Sequence, residues 1–216
     1  MNDRDLQQSV LDELRFDPQL NAEHIGVTAE QGVVTLTGHV SSFAEKLAAE
    51  RVARRVRGVR AIAEEIEVRL PHHSKTADDE IAKRAADLLA LNSSIPQGAI
   101  DITVQDGWVK LAGEVDWQFQ RAEAQDQVGR LSGVRGIINN IALARRSASP
   151  DISRQIKEAL LRNAQFSDAG ISVTVLQNGH VILDGDVHGW EQCKGAEQIA
   201  WSVPGVGSVD NRLAVI

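Results

Sequence analysis

The sequence predicts an α+β protein made of three tandem two-layer αββαβ modules, each with two helices on a three-stranded mixed sheet. Three observations carry this. The motif G-x-V-x-L-x-G-x-V occurs three times, in EQGVVTLTGHV at 30–40, QDGWVKLAGEV at 105–115 and QNGHVILDGDV at 177–187. Its two glycines stand six residues apart (Gly32 and Gly38, Gly107 and Gly113, Gly179 and Gly185), and a third follows 20 residues later as Gly58, Gly133 and Gly205. Apolar residues recur at helical spacing before each motif and alternate after it.

Within one copy the elements follow from period. Leu6, Val10, Leu11 and Leu14, then Ile81, Ala85, Leu88 and Leu89, then Ile152, Ile156 and Leu160 mark a first helix. Ile25 and Val27, Ile100, Ile102 and Val104, and Ile171, Val173 and Val175 alternate as a strand with one buried face. A tight turn ending in Gly32, Gly107 or Gly179 reverses the chain, glycine supplying the positive φ. The return strand buries Val34 and Leu36, Val109 and Leu111, Val181 and Leu183. A second helix of about 15 residues follows, with Ala49, Val52 and Val56 and their counterparts inward, ended by Gly58, Gly133 or Gly205 as a C-cap. A last strand alternates Ile62, Ile66 and Val68, then Ile137, Ile141 and Leu143, then Val209, Leu213 and Val215.

The copies recur after 75 and then 72 residues, too long for a stacking solenoid unit, so each reads as a small domain. The expected modules are 1–71, 76–146 and 149–216, joined by the polar linkers LPHHSKTAD and RRSASPD.

Net charge is −7, and no module is basic, which argues against the electrostatic footprint that nucleic-acid binding needs. No apolar run approaches the roughly 18 residues of a membrane span, and the first residues carry no basic and apolar leader pattern. The expectation is a soluble cytoplasmic protein. A lone Cys193 has no partner within the chain for a disulfide and reads as a small helix residue.

The hairpin motif, the glycine-valine pair about 20 residues later and the final alternating strand, present in all three copies, resemble the BON domain. This module is named for bacterial osmotic-stress-induced and nodulation proteins. The resemblance spans nearly the whole chain and rests on structural residues. It implies a non-catalytic role in osmotic or envelope stress, binding anionic phospholipid or a protein partner. Family members are mostly periplasmic or envelope proteins. Because this sequence starts without a secretion signal or lipoprotein cysteine, the expectation here is a cytoplasmic protein peripheral to the inner membrane.

Candidate chemistry is sparse. Neither a P-loop nor G-x-G-x-x-G occurs. Among six histidines only His72 and His73 cluster, in a linker without cysteines or carboxylates at ligand spacing, so neither metal nor cofactor is expected. Asp184 and Asp186 share a face, but their counterparts Thr37 and His39, and Ala112 and Glu114, share no chemistry with them, which argues against catalysis. Arg51, Arg54 and Arg55, with Arg57 and Arg60, form the one local excess of positive charge. They read either as a grip for lipid phosphates or as a solvated helix face paired with Glu45 and Glu50. Trp117, Phe119 and Trp190, with Phe43, fall at the start of the second helix. There they make either an exposed tip for lipid or protein, or a cover for the open end of a small core. Trp108 and Trp201 are expected at the core edge. Two further functions stay open: a homo-oligomerising scaffold without lipid affinity, and a degenerate enzyme.

Overall fold

A computed structural model describes residues 2–71, 76–144, 151–166 and 170–216. The first copy runs α1 (Asp3–Phe16), β1 (Ile25–Glu30), β2 (Val33–Val40), α2 (Phe43–Arg54) and β3 (Ala61–Val68). The second runs α3 (Asp78–Leu91), β4 (Ile100–Gln105), β5 (Trp108–Val115), α4 (Gln118–Gly129) and β6 (Gly136–Leu143). The third runs α5 (Ile152–Arg162), β7 (Ser172–Val175), β8 (His180–Val187), α6 (Trp190–Trp201) and β9 (Ser208–Val215). The chain is thus three tandem α+β modules, each with two helices against a three-stranded mixed sheet. Residues Met1–Ala142 form one compact unit holding the first two copies, and Leu143–Ile216 form a second. Most of both expected linkers, 72–75 and 145–150, lies outside the described residues.

Each sheet places the motif strand at its centre, in the orders β1-β2-β3, β4-β5-β6 and β7-β8-β9. β1 pairs antiparallel with β2, Ile25 opposite Gly38, and β3 returns parallel to β2, Val33 opposite Ala61. β8 and β9 pair in parallel likewise. Alternation decides which face is covered. Val34 and Leu36, Val109 and Leu111, and Val181 and Leu183 are fully buried under the helices. Ala49, Ala124 and Ala196 are also fully buried, at one position of the second helix in each copy.

The hairpin loops of the first two copies have two residues, both at positive φ: Gln31 (50°) and Gly32 (84°), Asp106 (52°) and Gly107 (78°). This is the turn whose twist matches a right-handed hairpin. The third loop is longer, and the Leu176 N–H closes it by donating to the His180 carbonyl at 2.8 Å. Within β2, Gly38 has φ +111°, and a Cβ there would lie 2.0 Å from the His24 carbonyl oxygen. The same approach recurs at Gly113, 2.1 Å from Ala99 O, and at Gly185, 2.4 Å from Gly170 O. The segment entering the first strand therefore passes where a side chain would stand.

The third glycine does not end the second helix as the sequence predicts. α2, α4 and α6 have 12 residues each, and the cap of α2 is Arg55, in right-handed helical conformation. Gly58 sits one turn on, where the Val59 N–H donates to the Val56 carbonyl at 3.3 Å; Leu131–Val134 and Val203–Val206 repeat that turn. A positive φ at its third residue calls for glycine.

A polar residue on the inward period of the last strand ties that strand to the second helix in every copy. In the first, the Lys46 ammonium sits 2.8 Å from the Glu64 carboxylate and donates to the Ile66 carbonyl. Glu64 in turn accepts from the Ile66 N–H. In the second, Asn139 donates to the Arg121 carbonyl and Gln125 and accepts from the Ile141 N–H. In the third, Asn211 donates to the Cys193 carbonyl and accepts from the Leu213 N–H. Each bond set closes part of an otherwise open sheet edge.

Candidate functional site

The end of α2 and the turn after it gather Arg51, Arg54, Arg55, Arg57 and Arg60, all exposed. The gathering is local to the first copy. The matching positions are Asp126, Gly129, Arg130, Ser132 and Arg135 in the second, and Gln198, Trp201, Ser202, Pro204 and Gly207 in the third. A shallow cleft opens against α1, lined by Ser9, Glu13, Arg55, Val56 and Arg57.

Carboxylates partly offset this charge. Arg54 pairs with Glu50 one helical turn back. Arg55, just past the helix end, donates to Asp17 at 2.9 Å and lies 3.9 Å from Glu13. Glu45 takes no part: it accepts from the backbone and hydroxyl of Ser41, while its own N–H donates to the Ser42 hydroxyl that caps α2. The expected pairing of Glu45 with the arginines is therefore corrected, because closing the helix N-terminus uses that carboxylate. The Gln19 N–H, and after it the Arg55 guanidinium, hold the Asp17 carboxyl below the usual carboxylate range. Five arginines against Glu13, Asp17 and Glu50 leave the patch moderately basic.

The aromatic residues at the starts of the second helices differ in exposure from copy to copy. Phe43 is buried, and its ring lies against Gly129 near Ile137, joining the first copy to the second inside the first unit. Trp117 is half-buried at the N-cap of α4, with its backbone N–H donating to the Gln120 side-chain oxygen, and Phe119 is 58% exposed. Trp190 opens α6 in the other unit, half-buried. Trp201 is half-buried and bonds Glu197. Trp108 departs from the core-edge expectation: it stands on the sheet face away from the helices, 50% exposed, its ring over Gly136, with Ile138 exposed on the same face.

Sequence spacing missed one histidine pair. His24 and His39 are 15 residues apart, yet β1–β2 pairing stacks their rings with centroids 4.5 Å apart. His72 and His73 lie outside the described residues. Among the described residues no group of three or more His, Cys, Asp or Glu is placed to hold a metal. Asp184 lies opposite Arg212 in the β8–β9 register. No helix among the described residues is long and apolar enough to cross a membrane.

Three repeats of a two-layer module, alike at their structural glycines and unlike on their surfaces, define a tandem array of small α+β domains. The BON domain profile matches residues 2–69, 77–145 and 149–216, and the chain belongs to the BON domain family. It is 28% identical over 126 residues to osmotically-inducible protein Y of Escherichia coli (strain K12), covering 56% of this chain and 63% of that protein. It therefore spans less than two thirds of that relative. Two solved structures also align. One is CdsD, a structural protein of the type III secretion system of Chlamydia trachomatis, at 16% identity and TM-score 0.27, covering 98% of this chain and 92% of that one. The other is the PrgH periplasmic domain, at 11% identity and TM-score 0.25, covering 95% of this chain and 99% of that one.

Proposed function

We propose that this chain is a peripheral, non-catalytic array that meets an anionic membrane surface, on its cytoplasmic side, through the arginines of its first copy during osmotic or envelope stress. The observation carrying this reading is the gathering of Arg51, Arg54, Arg55, Arg57 and Arg60 at one exposed helix end, in one copy of three. The name of the Escherichia coli relative supports the stress setting. Each basic residue near an anionic surface contributes about 1 kcal/mol. With three carboxylates in the patch, the net attraction is about 2 kcal/mol, enough for reversible recruitment and short of stable anchoring. Co-sedimentation of the intact chain with neutral and anionic vesicles tests it. Binding to anionic vesicles alone, weakening steeply with salt and lost on replacing Arg51, Arg54 and Arg55 by glutamine, is the expected result. Binding that survives that triple change, or is missing from the native chain, overturns it.

A second reading, a protein scaffold that self-associates without lipid, is favoured by one feature. On the open sheet face of the second copy, Trp108 and Ile138 stand together about half exposed, an apolar pair that self-association would cover. Sedimentation velocity over a concentration series separates the two readings.

A further inference from the structure

We infer that His24 and His39, in the first copy, form a two-imidazole site for one divalent ion of the later transition series: copper, nickel or zinc. Their rings lie stacked, with centroids 4.5 Å apart and planes 13° from parallel. Strand pairing brings them together. Ile25 stands opposite Gly38, so His24 and His39 make the next cross-strand pair. Both belong to the open sheet face, since their chain neighbours Ile25 and Val40 turn into the core. The backbone beneath them is fixed as well, because Gly38 admits the His24 carbonyl oxygen 2.0 Å from where a Cβ would stand. Among the described residues no hydrogen bond or ion pair engages either ring, whereas His180 bonds the Ser208 hydroxyl through Nδ1 at 2.6 Å.

The fold does not require this pair. The same two positions are Ala99 and Glu114 in the second copy and Gly170 and Asp186 in the third, on the same hairpin with the same close approach. His24 is exposed and His39 half-buried, so neither ring holds up a core. The charges sharing this face lean acidic. Glu65 and Glu67 of β3 are exposed, and Glu67 stands opposite His39 in the β2–β3 register. In the structure the Glu67 carboxylate is held by Arg69 at 2.8 Å, both groups exposed, so the donors in place are the two imidazoles.

Donor chemistry selects the ion. Imidazole nitrogen suits copper, nickel and zinc, whereas magnesium and calcium take oxygen ligands. A shared ion at about 2.0–2.1 Å from each nitrogen asks the two rings to tilt toward each other from parallel. That motion is a turn about χ2, a broad and soft torsion in histidine, at two side chains that no other bond restrains. Two donors make an open site, with water completing the coordination, and both rings must be neutral to bind. Bound there, the ion bridges the entrance of the edge strand β1 to the central strand β2. It binds only where pairing has brought the rings together, so it stabilises the folded first copy. The site is separate from the arginine patch, so it stands or fails independently of the membrane reading.

The probe is nickel chloride, titrated by calorimetry into the full, untagged chain, with copper(II) broadening of the amide and imidazole signals of the isotope-labelled chain to locate the ion. The expected result is saturable nickel binding, broadening centred on His24 and His39, and a melting temperature raised by nickel but not by magnesium. His24→Ala, the residue of the second copy, and His39→Thr each weaken nickel binding about tenfold or more, at least what losing an outer-shell partner of a metal costs. Both variants melt as the native chain does without metal, and the double change His72→Ala with His73→Ala leaves the binding at His24 and His39 in place. Broadening centred on other histidines, affinity indifferent to both single changes, an equal response to magnesium, or no binding at millimolar nickel each overturn the proposal. Broadening of the native chain locates the ion without any substitution, so a variant that fails to fold leaves the proposal open to refutation.

Discussion

The first and second copies share one compact unit and one plan, and they differ in what each leaves open. The first locks its outer strand with Gln7 and closes its last strand with the Lys46–Glu64 pair, then spends its surface on arginines. The second replaces that ion pair by the neutral Asn139, has Ala82, with no side-chain donor, in the place of Gln7, and shows Trp108 and Ile138 on its open face. The glycines and apolar residues that fix the backbone recur, whereas most residues that meet the outside do not: of the five arginines only Arg55 and Arg60 have arginine counterparts in the second copy, and none has one in the third. Repeats diverge where divergence is cheap: a surface change costs within about 0.5 kcal/mol, a buried one several times that.

The shared part breaks hardest. Gly38→Ala or Gly113→Ala puts a methyl 2.0 or 2.1 Å from a backbone carbonyl at positive φ, and each change is expected to cost about 4 kcal/mol, read by urea denaturation. Equal losses at both sites support a common scaffold, and a loss below about 1 kcal/mol at either removes the close-approach argument. Next comes the stitch. Asn139→Ala deletes bonds to Arg121, Gln125 and Ile141 and is expected to cost about 2 kcal/mol. Breaking the Lys46–Glu64 pair is expected to cost about 1 kcal/mol and to depend more on salt, since both groups remain about a quarter exposed.

Turn support differs between the copies as well. In the second, the Asp78 carboxylate accepts from the N–H groups of Asp106 and Gly107, so Asp78→Ala is expected to destabilise by about 1 to 2 kcal/mol. A neutral result in thermal melts indicates that the loop holds itself.

Much of the fold is legible in the sequence because periods of two and 3.6 record burial directly: Val34, Leu36, Ala49 and Val52 each fall inward as their spacing demands. The helix end was less legible. Val56 continues the apolar period past Arg54 because the following turn also faces the core, which lengthens the apparent helix to its glycine. Glu64, Asn139 and Asn211 interrupt an otherwise apolar inward period, and that interruption in all three copies is a signal for the stitch that spacing of apolar residues alone overlooks. The His24–His39 stack and the burial of Phe43 depend on strand pairing and on contact between copies. No local pattern encodes either. The arginine patch is legible as composition, but its pairing with Asp17 joins residues 38 apart and needs the fold.

The smallest effect is also the most local. Because the native Asp17 carboxyl sits below its usual range, its contribution to stability is present above the unfolded pKa and lost as pH falls through the lowered native value. Arg55→Gln is expected to move the Asp17 titration upward, followed by carboxyl carbon shifts, but not the whole way, since the Gln19 N–H remains the larger cause. A titration unmoved by Arg55→Gln shows the guanidinium free for other anions.

Hydrogen exchange across the full chain, with and without anionic vesicles, tests the division between copies most directly. The account predicts slowed exchange over residues 51–60, with the equivalent segments 126–135 and 198–207 unchanged. Equal slowing in all three segments, or slowing confined to the second or third, contradicts it.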